Sequence, residues 1–114
     1  YNKFIKRSLE DRLKESSSVN SKYPERVPAI LNIGENLNTD NFTKIKYLVP
    51  QDLTIGQFIF VIRKRCKLDP HDALFLSVND TILASISTIE DIKDEQISED
   101  GFLYITINRE NTFG

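Results

Sequence analysis

The sequence predicts an α+β fold in which one long helix crosses a face of a mixed sheet. Three observations carry that expectation. Two β-rich segments flank a Gly/Asn-rich turn region early in the chain. An apolar stripe at helical spacing follows them, made of Ile55, Phe58, Ile59 and Ile62. Further apolar, β-rich segments come after that helix. A chain of 114 residues suits one domain, and layering helix on sheet is how such elements bury their apolar faces.

Residues 3–20 read as one helix, with Phe4, Leu9 and Leu13 as its apolar stripe. Ser16, Ser17 and Ser18 weaken it near its end, and Pro24 terminates it. Val27 to Ile33 reads as a strand, with Pro28 near its start. Gly34 through Asn41 has turn composition, and Phe42 to Val49 reads as a second strand stopped by Pro50. The two strands make a wide hairpin. Asp52 or Thr54 can cap the helix Ile55–Cys66, and Arg63, Lys64 and Arg65 close it with positive charge at its carbonyl end. Leu74–Val78 is a third strand, Asn79–Asp80 a tight turn and Thr81–Leu83 a short return. Thr88 with Glu90 and Asp91 opens a short capped helix over 88–96. Phe102 to Asn108 is the clearest strand, but periodicity does not name its neighbour. A hairpin, a crossover helix and later strands form the β-grasp pattern. A ferredoxin-like arrangement would instead repeat strand–helix–strand twice.

Composition excludes several classes. No run of 18 apolar residues exists, so no helical membrane span is expected. One cysteine, Cys66, excludes an internal disulfide framework, and one histidine, His71, excludes a histidine-rich metal site. Phe4–Ile5 is too short for a signal-peptide core, and Tyr1 in place of Met suggests residues before it. Net charge is -2. Residues 1–65 carry twelve Lys and Arg against seven Asp and Glu; residues 66–114 carry three against ten. This polarity fits a solvated surface or a basic face for acidic peptides, phospholipid or RNA.

Nothing in the sequence forms a catalytic constellation. Cys66 falls on the apolar face of its helix, where cysteine behaves as a small hydrophobe, and His71 falls in a polar turn. Gly34 and Gly56 are isolated, so no phosphate-binding loop is present. Aromatics do not interleave with the Lys/Arg positions as a nucleic-acid stacking platform requires. A binding or carrier module therefore outranks an enzyme, with no cofactor and no metal. The end of the chain is more informative: Gly114 offers an uncrowded carboxylate that can be adenylated, passed to a thiol and then to an amine.

Several stretches are specific in combination. They are Lys22–Pro28 (KYPERVP), Lys46–Pro50 (KYLVP), Leu53–Phe58 (LTIGQF), Ile62–Arg65 (IRKR), Asp72–Phe75 (DALF), Val78–Asn79, Asp100–Ile105 (DGFLYI) and Phe113–Gly114. Together they resemble the autophagy-related protein 8 family, the ubiquitin-like modifiers of autophagy, over essentially the whole chain. The resemblance implies a ubiquitin-like β-grasp with two amino-terminal helices appended. It divides the chain into a helical extension (1–20), a core (26–108) and a conjugation tail (109–114). It implies conjugation of Gly114 to phosphatidylethanolamine by E1-like and E2-like enzymes, after a processing cysteine protease. The expected location is cytoplasm, and phagophore and autophagosome membrane once lipidated. Cargo receptors and adaptors with W/F/Y-x-x-L/I/V motifs are the expected partners, and nucleic acid is not. A non-conjugated peptide-docking adaptor is the alternative.

The family's groove maps onto named residues. The aromatic-accepting pocket would use Glu15, Val19, Pro28, Lys46, Leu48 and Phe102. The aliphatic-accepting pocket would use Tyr47, Val49, Pro50, Leu53, Phe58 and Val61, with Arg65 near the partner's acidic flank. Strand alternation sends Tyr47 and Val49 one way and Lys46 and Leu48 the other. Three stretches depart from the family pattern: the serines at 16–18, the Asn-rich loop Gly34–Asp40, and Thr81–Thr88, which lacks a proline pair. They mark a divergent member.

Overall fold

The computed structural model describes residues 1–42 and 44–110. The chain runs α1 (Asn2–Ile5), α2 (Leu9–Lys22), β1 (Arg26–Ile33), β2 (Lys46–Pro50), α3 (Ile55–Cys66), β3 (Leu74–Val78), β4 (Thr81–Ile82), α4 (Ile89–Gln96) and β5 (Leu103–Arg109). The strands form one sheet in the order β2-β1-β5-β3-β4. β1 pairs antiparallel with β2 and parallel with β5, and β5 pairs antiparallel with β3. This is the β-grasp, and the parallel centre supplies the neighbour of the last strand.

The sheet's two faces are covered differently. Val27, Ala29 and Leu31 of β1 join Leu103, Ile105 and Ile107 of β5 in the main core, against Phe58, Ile62 and Cys66 of α3. The alternate residue Ile30 faces the other way, into a small cluster with Phe4 and Phe102. α3 has the bounds its apolar spacing predicts. Thr54 rather than Asp52 caps it: its hydroxyl accepts from Gln57 N while Gln57 Oε1 accepts from Thr54 N, a reciprocal capping box. α4 opens on Thr88 in the same way.

The amino-terminal side carries the two helices that the family resemblance implies, and two readings made from the pattern alone fail there. The helical stretch 3–20 is not continuous. The Ser8 hydroxyl accepts from Asp11 N and starts α2 afresh, leaving α1 a separate turn. The proposed apolar stripe is not the buried face either. Phe4 is buried, but Leu9 and Leu13 are each 38% exposed. α2 docks instead through polar atoms. Ser16, 2% exposed, donates to Asp100 O at 2.6 Å. Arg12 Nη1 reaches the wholly buried Asp100 carboxylate at 2.7 Å. The Tyr104 hydroxyl donates to the same oxygen, and Phe102 N donates to Asp100 Oδ1 at 2.9 Å. The last three bonds satisfy a buried carboxylate that would otherwise be costly, and the Ser16 hydroxyl satisfies the Asp100 carbonyl.

The second strand is also shorter than expected. Phe42 is buried in the main core but lies outside the ladder, which begins at Lys46. The Asn38 side chain accepts from Asp40 N and winds Thr39–Asn41 into a 3-10 turn, so the chain enters the sheet later. Pro50 is the last residue of β2 rather than a stop before its end.

Candidate functional site

Strand β2 is an outer strand, so one of its edges has no neighbouring strand among the described residues. Leu31 N donates to Ile45 O at 2.8 Å. Backbone groups alternate along a strand, so Tyr47 and Val49 turn theirs toward β1, while Lys46 and Leu48 turn theirs to the open edge. The Leu48 carbonyl accepts from the Arg26 guanidinium, at 3.4 Å. Side chains alternate too: Tyr47 and Val49 are buried, Leu48 is half-buried and Lys46 is exposed. One strand thus serves two faces.

On the α3 side lies a cavity of about 380 Å³. Tyr47, Val49, Pro50, Leu53, Phe58 and Val61 all line it, so the structure brings the whole predicted aliphatic set together. Leu48 and Arg65 line it as well. Tyr47 and Phe58 build one wall as an edge-to-face pair, with centroids 5.6 Å apart. Arg26 and Lys44 complete the lining, and neither was picked out from the sequence. Register would have found Arg26, which stands opposite Pro50. Lys44 Nζ lies 5.4 Å from the Tyr47 ring centre. Three cations around an apolar hollow suit an extended ligand with an apolar anchor and acidic neighbours.

The predicted aromatic set is less gathered. A second hollow of about 420 Å³ is lined by Lys3, Phe4, Arg7, Ile45 and Lys46, and of the six predicted residues it holds Lys46 alone. Lys46 Nζ contacts Glu15 Oε2 at 3.1 Å, and Glu15 also accepts from Arg7 Nη1 at 2.7 Å. Burial by itself would raise the Glu15 carboxyl, but those two cations outweigh it and hold it below the usual range. Pro28 is buried and stands opposite Leu48 in register. Val19 is half-buried on α2. Phe102 is buried edge-on against Phe4, at 4.9 Å between centroids. Lys46 Nζ sits 5.1 Å from the same Phe4 ring. The chain's own Phe4 is therefore an aromatic side chain held between Lys46 and Phe102. The sequence pattern puts Phe4 on the same helical stripe as Leu9 and Leu13. The Ser8 cap between Phe4 and Leu9 is the signal that they belong to separate helices.

The residues capable of nucleophilic chemistry are not assembled. Cys66 is buried, and burial pushes its thiol up, away from the reactive thiolate. The Tyr47 hydroxyl beside it is buried with only the Cys66 sulfur, a weak hydrogen-bonding group, for company among the described residues, and burial pushes it up to about 12. His71 is exposed in its turn. No three of His, Cys, Asp and Glu gather among the described residues. No described helix is long and apolar enough to cross a membrane. Gly114 lies outside the described residues.

A β-grasp sheet with a free outer strand, an apolar hollow and a cationic lining defines a ubiquitin-like binding module. The family described as "Autophagy protein Atg8 ubiquitin like" matches residues 11–114. Autophagy-related protein 8c of Arabidopsis thaliana is 46% identical over 110 residues, covering 96% of this chain and 92% of that one. Autophagy-related protein 8 of Schizosaccharomyces pombe is 46% identical over 107 residues, covering 94% and 88%. The crystal structure of Trypanosoma brucei ATG8 superposes with a TM-score of 0.86 at 39% identity, covering 96% of this chain and 95% of that one. Plasmodium falciparum Atg8 in complex with a P. falciparum Atg3 peptide gives 0.81 at 26% identity, covering 94% of each. The chain belongs to the autophagy-related protein 8 family of ubiquitin-like proteins.

Proposed function

We propose that this chain is a ubiquitin-like modifier of autophagy, not an enzyme, which joins phosphatidylethanolamine through Gly114 and recruits partners through the β2 groove. The family match carries the reading. In the proposed reaction the Gly114 carboxylate attacks the α-phosphorus of ATP and expels pyrophosphate. An E1-like thiolate displaces AMP to give a thioester, and an E2-like thiol takes over the acyl group. The lipid amine then displaces that thiol and loses a proton. The product sits on phagophore and autophagosome membrane, and the unconjugated chain in cytoplasm. The helical extension (1–20), the core (26–108) and the tail (109–114) act as one domain. A processing cysteine protease, where residues follow Gly114, exposes its carboxylate.

For partners, the reading is strand addition to β2. The aliphatic anchor enters the hollow lined by Tyr47, Val49, Pro50, Leu53, Phe58 and Val61. The aromatic anchor goes to the Lys46 side, among Glu15, Val19, Pro28, Leu48 and Phe102. Arg65 faces the acidic flank. Calorimetry with a W/F/Y-x-x-L/I/V peptide should give micromolar affinity, about -8 kcal/mol. Replacing both Tyr47 and Leu48 by Ala should remove most of it, because the anchors carry most of such binding energy. Arg65→Ala should cost less, and mainly at low salt. A folded Tyr47/Leu48 variant that binds like the parent would place the peptide elsewhere. Gly114→Ala separates the adaptor alternative: it should stop lipidation by purified conjugation enzymes and leave peptide binding intact.

A further inference from the structure

We propose that Asp100 is a positioning residue for the aromatic anchor of a bound peptide, holding helix α2 and Phe102 in one fixed relation. The inference rests on the groove reading above, in which Glu15 and Val19 of α2 form the wall of the aromatic subsite and Phe102 its floor. The exposure pattern of α2 gives its sheet-facing stripe. Its inward residues are Arg12, Glu15, Ser16 and Val19, at spacings of three and four, and Ser16 alone is buried. Three of these four are polar. Directed bonds, rather than an apolar cushion, therefore set how the wall helix sits.

Two of those residues reach one partner. Ser16 Oγ donates to Asp100 O at 2.6 Å, and Arg12 Nη1, one turn earlier, donates to Asp100 Oδ2 at 2.7 Å. Two bonds a turn apart on one face fix both the place of the helix and its tilt. The other carboxylate oxygen, Oδ1, accepts from Phe102 N at 2.9 Å and so fixes the floor residue. Wall and floor are tied through one wholly buried residue. The Glu15–Lys46 pair closes the far side of the subsite, but it is partly exposed, and such pairs contribute little. Without the Asp100 bonds the wall would rest on that pair and on the chain's link into β1. An aromatic ring needs a slot of fixed width, because dispersion attraction fades steeply with a gap. The aliphatic hollow has no such dependence, since no residue of α2 lines it.

The test compares the parent with Asp100→Asn, the double variant Arg12→Gln/Ser16→Ala, and Lys14→Gln. Asp100→Asn keeps the size of the side chain but can accept on one side only. The double variant frees α2 from Asp100 and leaves the Phe102 bond in place. Lys14 pairs with Glu10 on the outward face of α2, so Lys14→Gln is the control. Amide NMR spectra establish that each chain is folded; if Asp100→Asn is not, the double variant decides. Binding is read by NMR titration with three peptides: an intact W/F/Y-x-x-L/I/V peptide, one with Ala for the aromatic anchor and one with Ala for the aliphatic anchor. In the parent each replacement should weaken binding about thirtyfold. In Asp100→Asn and the double variant the aromatic replacement should cost only about fivefold, since a gap of about 1 Å forfeits up to half of a contact's attraction. The aliphatic replacement should cost them the same factor as the parent, and Lys14→Gln should follow the parent throughout. Folded variants that keep the parent's aromatic factor would overturn the positioning role and leave Asp100 a stabilising residue only. An equal shrinkage of both factors, or the same change in Lys14→Gln, would overturn it too. A parent indifferent to the aromatic replacement would overturn the groove reading, and the positioning role with it.

Discussion

Tyr47 is both a wall of the groove and a member of the core, and its chemistry shows the tension between the two. Its ring fills space against Phe58, while its hydroxyl is buried with only the weakly bonding Cys66 sulfur beside it among the described residues. Tyr47→Phe should thus keep the wall and be neutral or stabilising by up to about 1 kcal/mol, since it removes a poorly satisfied polar group. Tyr104 shares the alkaline shift, pushed up to about 12 by burial and by its bond to Asp100. A tyrosine in the unfolded chain ionises near pH 10. Both groups favour the neutral phenol when folded, so their contribution is complete below about pH 10 and is lost as pH climbs toward about 12. Denaturant midpoints followed across that window should fall, and the Tyr47→Phe/Tyr104→Phe double variant should show a shallower fall. A parallel fall would show that the phenols are not responsible. Little of this was legible beforehand. Sequence places Tyr47 on a face, but the poorly partnered hydroxyl depends on how Cys66 and Phe58 converge on it from α3.

Among the elements, α3 and α4 were legible because their information is local: a capping Thr, then apolar residues at a spacing of three and four. The aliphatic pocket came from the family resemblance instead; local pattern alone gave only the face on which Tyr47 and Val49 lie. α2 was read poorly because its docking is non-local. It meets the sheet through Arg12 and Ser16, whose partner Asp100 is more than eighty positions away. Polar residues that find a distant buried charge look, in sequence, like a solvated face. Ser16, one of the serines that look like weak helix formers, makes a close approach possible: Gly101 has φ +84°, and a Cβ there would strike the Ser16 hydroxyl. Gly101→Ala should therefore cost about 1–3 kcal/mol from backbone strain alone. Ser16→Gly, which only loses hydrogen bonds and some helix propensity, should cost less. Equilibrium unfolding of the two would check the order, and equal losses would mean that the α2–β5 approach is not tight. The aromatic set scattered for a related reason: α1 is too short to announce itself, yet its Phe4 lies against Phe102.

At the scale of the whole molecule, the basic character of the first half of the chain is partly collected around two hollows, by Arg26, Lys44 and Arg65 at one and by Lys3, Arg7 and Lys46 at the other. Charge counting found the surplus, but only the sheet register shows where it gathers. That register has its earliest and latest strands side by side at the centre, Ala29 beside Leu103 and Ile33 beside Ile107. Closing so long a loop must precede the contacts that reward it. A chain ending at Gln96 keeps every helix but lacks the strand that joins the two halves of the sheet. It should show collapsed amide dispersion by NMR; a native-like spectrum would contradict this. The order of synthesis then acts as a quality gate. During translation the groove has no complete scaffold until β5, immediately before the segment bearing the conjugation glycine, has been made. Half-made copies would give a strand-adding ligand no firm edge to join.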